Sequence, residues 1–241
     1  MKKFETLQRE YLNILSELDE SFINEKYQNS KKDEGLSGLF LASEPENYWF
    51  AKNKIMVIGA ETREWNVKLD TEYSLEQYLL SSVEKNKSFF QKMMNEPRTQ
   101  QITFHDFTRA IADRCGRDGL IYSNLFCFAW NAKSPIKTKY FDQIKNVSFK
   151  LLKAQLEYFE PQIIIFANGS QNTVYRREIF DSKLYSEGQD YINEGISKNH
   201  LYQFLFADKY QCYRIQHPST IRGRKMAISA RKKLIEILPS I

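Results

Sequence analysis

Lys54-Ile55-Met56-Val57-Ile58-Gly59-Ala60-Glu61-Thr62 is the stretch from which the rest of the chain reads. Ile55 to Ile58 are apolar at every position, with no alternation. That pattern fits a strand covered on both faces, as in a parallel sheet between helix layers. Gly59 ends the run and allows the backbone to turn sharply. Similar apolar runs recur at 120–126, 162–167 and 211–216. Between them, apolar residues at helical spacing predict helices over 74–95, 104–115, 140–159 and 172–180. A last helix over 225–238 stops before Pro239. Strands separated by helices predict an α/β fold, a three-layer α/β/α arrangement with a mostly parallel central sheet of about four strands. The pair 201–206 and 211–216, joined by Ala-Asp-Lys-Tyr, also reads as a hairpin, which adds one antiparallel edge pair.

Outward from this core, residues 3–23 place Phe4, Leu7, Tyr11, Leu12, Ile14, Leu15, Leu18 and Phe22 at near-helical spacing. Residues 27–47 mix Lys, Asp, Gly, Ser and Pro and read as a loop. The chain therefore divides into an N-terminal helical extension and loop, 1–50, and one domain, 51–241. Its 241 residues, 42% hydrophobic and 14% aromatic, can bury a full core, which excludes a disordered chain or a small stapled scaffold. No apolar run reaches the roughly 20 residues of a membrane span. The polar start Met1-Lys2-Lys3 does not read as a signal peptide. Cys115, Cys127 and Cys212 are odd in number and lack C-x-x-C spacing. They predict a reducing, cytoplasmic setting without a structural metal or an iron–sulfur cluster.

In open α/β sheets ligands bind beyond the carboxyl ends of the strands. Four polar clusters fall there: Gly59 to Trp65; Ser123-Asn124 with Trp130-Asn131; Asn168-Gly169-Ser170; and His217-Pro218-Ser219. Glu61, two residues past a buried strand, could deprotonate or orient a water; it could equally cap a turn or pair with Arg63. His217, held extended by Pro218, could hydrogen-bond a developing anion; the alternative is a buried His satisfied by a carbonyl. His105 and His200 read as surface or packing residues. Asn124, inside an apolar strand, needs partners for donors and acceptor alike, from a structural network or from a nucleobase edge. Gly169-Ser170 lacks the remaining glycines and the Lys of a phosphate loop and reads first as a tight turn.

The formal net charge of +5 is unevenly distributed. Lys209, Arg214, Arg222, Arg224, Lys225, Arg231, Lys232 and Lys233 give +8 to the acid-free stretch 209–235 and leave −3 elsewhere. Such a helix can be a plain solvated face. Directly after His-Pro-Ser-Thr it also reads as a phosphate-binding edge.

The order of these clusters resembles the uracil-DNA glycosylase superfamily, over roughly 54–238. Its stations are similar to Gly59-Ala60-Glu61-Thr62, Ser123-Asn124, Asn168-Gly169-Ser170 and His217-Pro218-Ser219, and a Pro before the third strand is similar to Pro161. The resemblance implies that a nucleotide is flipped out of DNA into a strand-end pocket. It implies that Glu61 orients water toward the sugar C1′ and that His217 hydrogen-bonds the base O2 as charge develops. Asn124 would read the base edge, with Gly59, Ala60, Thr62 and Trp65 around it. Ser170 and Ser219 would hold phosphates, Ile221 would fill the gap left by the flipped base, and Thr220, Arg222, Arg224 and Lys225 would follow the backbone. The partner implied is DNA, single- or double-stranded, bound by a monomer without metal or organic cofactor. Glu61 replaces the family's usual Asp or Asn, Thr62 its Pro, and Arg63 a Tyr found in some members. Two other readings stand beside hydrolysis: a catalytically silent protein binding nucleic acid or a nucleoside-like ligand, and a small-molecule enzyme using the same strand ends.

Overall fold

The computed structural model describes residues 4–19, 22, 35–62, 65, 67, 74–97, 104–221 and 223–241. It has a mixed α/β fold with a central, mostly parallel sheet flanked by helices, compatible with a three-layer arrangement. Among the described residues the sheet has six strands: β1 (Ile55–Gly59), β2 (Leu120–Asn124), β3 (Ile163–Phe166), β4 (Tyr185–Asp190), β5 (Leu201–Phe206) and β6 (Tyr210–Ile215), in the order β2-β1-β3-β6-β5-β4. β1 and β3 run parallel, as do β3 and β6, while β6–β5 and β5–β4 are antiparallel.

The expectation of about four strands is corrected to six. β5 and β6 form the hairpin anticipated from their sequence, and both Ala207 (φ 51°) and Asp208 (φ 50°) take the positive φ of a type I′ turn. β4 is new. Its residues Ser186, Gly188, Gln189 and Asp190 are polar or small and exposed, so no apolar run marks it. An edge strand of this kind is recognised by its neighbour: Tyr202 lies so close over Gly188 that a Cβ there would come within 1.9 Å of the Tyr202 Oη.

The chain forms two compact units. One comprises 44–59, 90–122 and 161–241 and carries most of the sheet. In β3, Ile164, Ile165 and Phe166 are all 0% exposed, each contributing about 1.5–3 kcal/mol by burial. Their β-branched neighbours suit the pleated backbone. Three helices belong to this unit: α3 (Phe104–Cys115), α5 (Thr173–Ile179) and α6 (Arg224–Ile237). α6 packs against β5, β6 and α3. On α5, the Arg176 guanidinium lies over the rings of Phe166 and Phe204.

The other unit comprises 1–43, 60–89 and 123–160. It holds α1 (Phe4–Leu15), α4 (Phe141–Phe159) and most of α2 (Leu75–Asn95). α1 packs on α4, and its Tyr11, fully buried, donates to the carbonyl of Ala42 at 3.0 Å. The helix expected over 3–23 ends at Leu15, and turns occupy 16–17. Of the expected loop, 27–34 lie outside the described residues; Leu39, Phe40, Leu41 and Ala42 are buried. α4 ends where Glu160 adopts φ 47° and returns its N–H to Leu156, and Pro161 cannot extend the helix. Among the described residues no helix is long and apolar enough to cross a membrane.

Candidate functional site

Because β1, β3 and β6 are parallel, their carboxyl ends reach one edge of the sheet, bringing Gly59, Asn168-Gly169 and Gln216-His217 to the same side. The N–H of Ala167 continues the ladder to the carbonyl of Ile58 at 2.9 Å. Gly169 then turns the chain at φ 77°, a conformation that disfavours side chains. A Cβ on Gly169 would meet the Cβ of His217 at 3.5 Å, so these two loops lie in van der Waals contact.

His217 is half-buried and held from several sides. The Thr220 N–H donates to its carbonyl at 2.9 Å, closing a turn through Pro218 and Ser219. Within that turn the Ser219 N–H donates to Nδ1 of the imidazole at 3.2 Å. An Nδ1 that accepts cannot carry the proton, so the neutral ring is assigned the Nε2–H tautomer. Its face stacks on Phe104, with centroids 5.8 Å and planes 29° apart. Phe104 opens α3 and leans in turn on Tyr122 of β2 at 5.2 Å. Behind the turn, Arg231 of α6 is 4% exposed and donates from Nη1 to the Pro218 carbonyl at 3.1 Å.

Two buried amides sit just past β3. Asn168 is 2% and Asn172 1% exposed, and Asn172 donates to the Asn168 carbonyl at 2.7 Å. Asn168 Nδ2 and Asn172 Oδ1 have no hydrogen-bond partner among the described residues. Ser170 is exposed at the start of a single turn, Ser170–Asn172, ahead of the seven-residue α5.

In the other unit, Ala60 continues from β1 and accepts at its carbonyl from the Phe126 N–H at 2.9 Å. This fixes the segment carrying Glu61 and Thr62, both half-buried, beside the segment that follows Asn124. Asn124 is 6% exposed and closes β2; its neighbour Ser123 donates to Gln155 of α4. Trp65 is turned into the core: its indole N–H donates to Leu39 at 2.9 Å, and Phe40 and Phe89 pack edge-on against it. Arg63 lies outside the described residues.

Beyond the His217 turn, Ser219 is exposed, Thr220 is half-buried and Ile221 is 87% exposed. Arg222 lies outside the described residues, and Arg224 and Lys225 are exposed at the start of α6. The basic stretch is not one continuous face. Arg231 is buried, Arg214 donates to Asn199 and lies over Tyr202, and Lys233 pairs with Glu194 at 2.6 Å. Lys209, Arg224, Lys225 and Lys232 remain exposed.

Phe104 and Asn172 escape the sequence reading; Asn168 enters it only within a strand-end cluster, and Arg231 only as one cation of the basic stretch. For Arg231 a signal exists: it falls four residues after Ala227 and three before Leu234, on the buried stripe of α6. Phe104 carries no signal beyond a helical pattern, since only the fold brings it to His217. Among the described residues no group of three or more His, Cys, Asp or Glu is arranged to hold a metal ion. Buried in apolar surroundings, the Cys127 thiol is pushed up to about 12 and that of Cys115 to about 11, far from a reactive thiolate.

No family model and no curated protein sequence matches the chain.

Proposed function

We propose that this protein is a DNA N-glycosylase that hydrolyses the bond between deoxyribose and a deaminated or damaged base, uracil foremost. The observation that carries the reading is His217. It stands at a strand end, stacked on Phe104, with Nδ1 engaged by the Ser219 amide so that the proton lies on Nε2.

In this reading the C1′–N bond breaks with its electron pair passing to the base. The His217 Nε2–H donates a hydrogen bond to the base O2 as negative charge collects there. Water adds to C1′ and gives its proton to the Glu61 carboxylate. In the same reading Asn124 reads the base edge. Ser170 and Ser219 hold flanking phosphates through exposed hydroxyls. An 87% exposed isoleucine is otherwise a liability on a protein surface. At position 221, between His217 and the cations Arg224 and Lys225, it suits a wedge that fills the stack behind a flipped nucleotide. The chemistry requires neither metal nor organic cofactor, and a monomer suffices.

The test is incubation with single- and double-stranded oligonucleotides carrying uracil, hypoxanthine or xanthine, followed by alkali to cut abasic sites. Scission above that of a Glu61→Gln, His217→Ala double variant is expected. Salt-sensitive DNA binding without scission would replace hydrolysis by silent binding. The absence of both scission and DNA binding would overturn the reading.

A further inference from the structure

A guanidinium on a helix normally stays in water. Arg231 instead occupies the stripe of α6 that also buries Ala227, Ala230 and Leu234. Among the described residues no carboxylate pairs with it, and its Nη2 is buried without a hydrogen bond. Burial therefore weakens its hold on its proton, and the charge of Arg224 adds to the effect. Removing an ion from water without a counter-ion costs several kcal/mol. Among the described residues, the one hydrogen bond that Arg231 makes goes to the carbonyl oxygen of Pro218.

That oxygen has a particular place in the turn. The Pro218 carbonyl and the Ser219 N–H belong to the same peptide unit, which is planar with its oxygen and hydrogen on opposite sides. Arg231 holds the oxygen at 3.1 Å, and the hydrogen on the far side meets Nδ1 of His217 at 3.2 Å. Pro218 itself has no N–H with which to anchor the turn. Rotation of this plane would break both contacts together. A cation on the carbonyl also polarises the peptide unit and strengthens its N–H as a donor.

We propose that Arg231 is a positioning residue for His217, acting through the Pro218–Ser219 peptide plane to hold the imidazole in one orientation and as the Nε2–H tautomer. The setting of the ring does not depend on the reaction it serves. Its test therefore needs no activity.

The experiment follows the ring nitrogens of His217 by long-range ¹H–¹⁵N correlation at a pH where the imidazole is neutral. The full-length protein is used, with His217→Gln to assign the signals. The wild type is expected to show a protonated Nε2 and an unprotonated Nδ1. In Arg231→Met, which keeps the aliphatic stem and removes the donor, the two nitrogens should move toward averaged shifts. Exchange of the Ser219 amide should quicken about tenfold. Arg231→Lys, one cationic donor on a different stem, should fall between the two. A folded Met variant with wild-type nitrogen shifts and Ser219 exchange would overturn the proposal, and so would a wild type protonated at Nδ1. Should the Met variant fail to fold, the Lys variant decides: intermediate shifts and exchange support the strut, and values equal to wild type refute it.

Discussion

The imidazole of His217 lies face to face with the ring of Phe104, 5.8 Å between centroids, so the first residue of α3 forms one wall of the strand-end histidine. Phe104→Leu keeps an apolar side chain and loses the ring pair, worth about 1 kcal/mol. For a chain of this size the melting temperature should fall by about 2–4 °C. On the proposed function, base release should fall further than stability does, because the ring stacked on His217 is gone. Thermal melts and single-turnover release, measured side by side, separate the two effects.

Ile221 is exposed and makes little of the fold, so Ile221→Asp should leave stability within about 0.5 kcal/mol. The same change should weaken DNA binding, because it puts a carboxylate where a wedge and a phosphate backbone would lie. Arg224→Ala with Lys225→Ala should make the dependence of log K on log salt shallower by about 1 to 2, as expected for one or two lost phosphate contacts. Equilibrium binding at several salt concentrations checks both. An unchanged slope would mark the start of α6 as a solvated face.

His105 supplies a pH dependence separate from the site. Burial, with the Arg109 cation beside it, lowers its affinity for a proton, while Glu96 and Asp106 pull the other way. Its folded pKa is therefore below the unfolded value of about 6.5. In the window between the two, the unfolded chain binds the extra proton, so stability rises with pH there. The His105 contribution is present above about pH 6.5 and is lost as pH falls toward the folded pKa. Denaturant titrations from pH 5 to 8 should show a shallower slope for His105→Gln than for the wild type.

All three thiols are buried, and burial raises each of them, Cys212 included. A thiol reagent at neutral pH should label almost none in the folded protein and all three once it is denatured. Rapid labelling of the native chain would contradict this placement of β6, which carries Cys212, and of α3, which ends in Cys115.

How much of this was legible follows from which forces act locally. Ile163 to Phe166 announce β3 because a strand buried on both faces must be apolar throughout, and α3 shows its helical spacing end to end. β4 is hidden because an edge strand needs little burial, and what selects Tyr185–Asp190 is the fit of Gly188 under Tyr202. His217 and Glu61 stand out as polar residues after apolar runs. Phe104 does not, because its role depends on a meeting across more than a hundred residues. Trp65 reads as a pocket residue by position, yet the core formed by Leu39, Phe40 and Phe89 claims it. Arg231 is concealed in a run of cations, where only its spacing from Ala227 and Leu234 separates it from solvated neighbours.

The most direct measurement is mass-spectrometric detection of free uracil released from a uracil-containing oligonucleotide, under single-turnover conditions with the protein in excess. The comparison is with a His217→Ala variant that melts like the wild type. Release by the wild type, reduced about a hundredfold or more in the variant, is the predicted result, the size expected when a donor to a developing anion is removed. Release equal in both proteins, or none from the wild type on any of uracil, hypoxanthine and xanthine, would contradict the proposed role of His217.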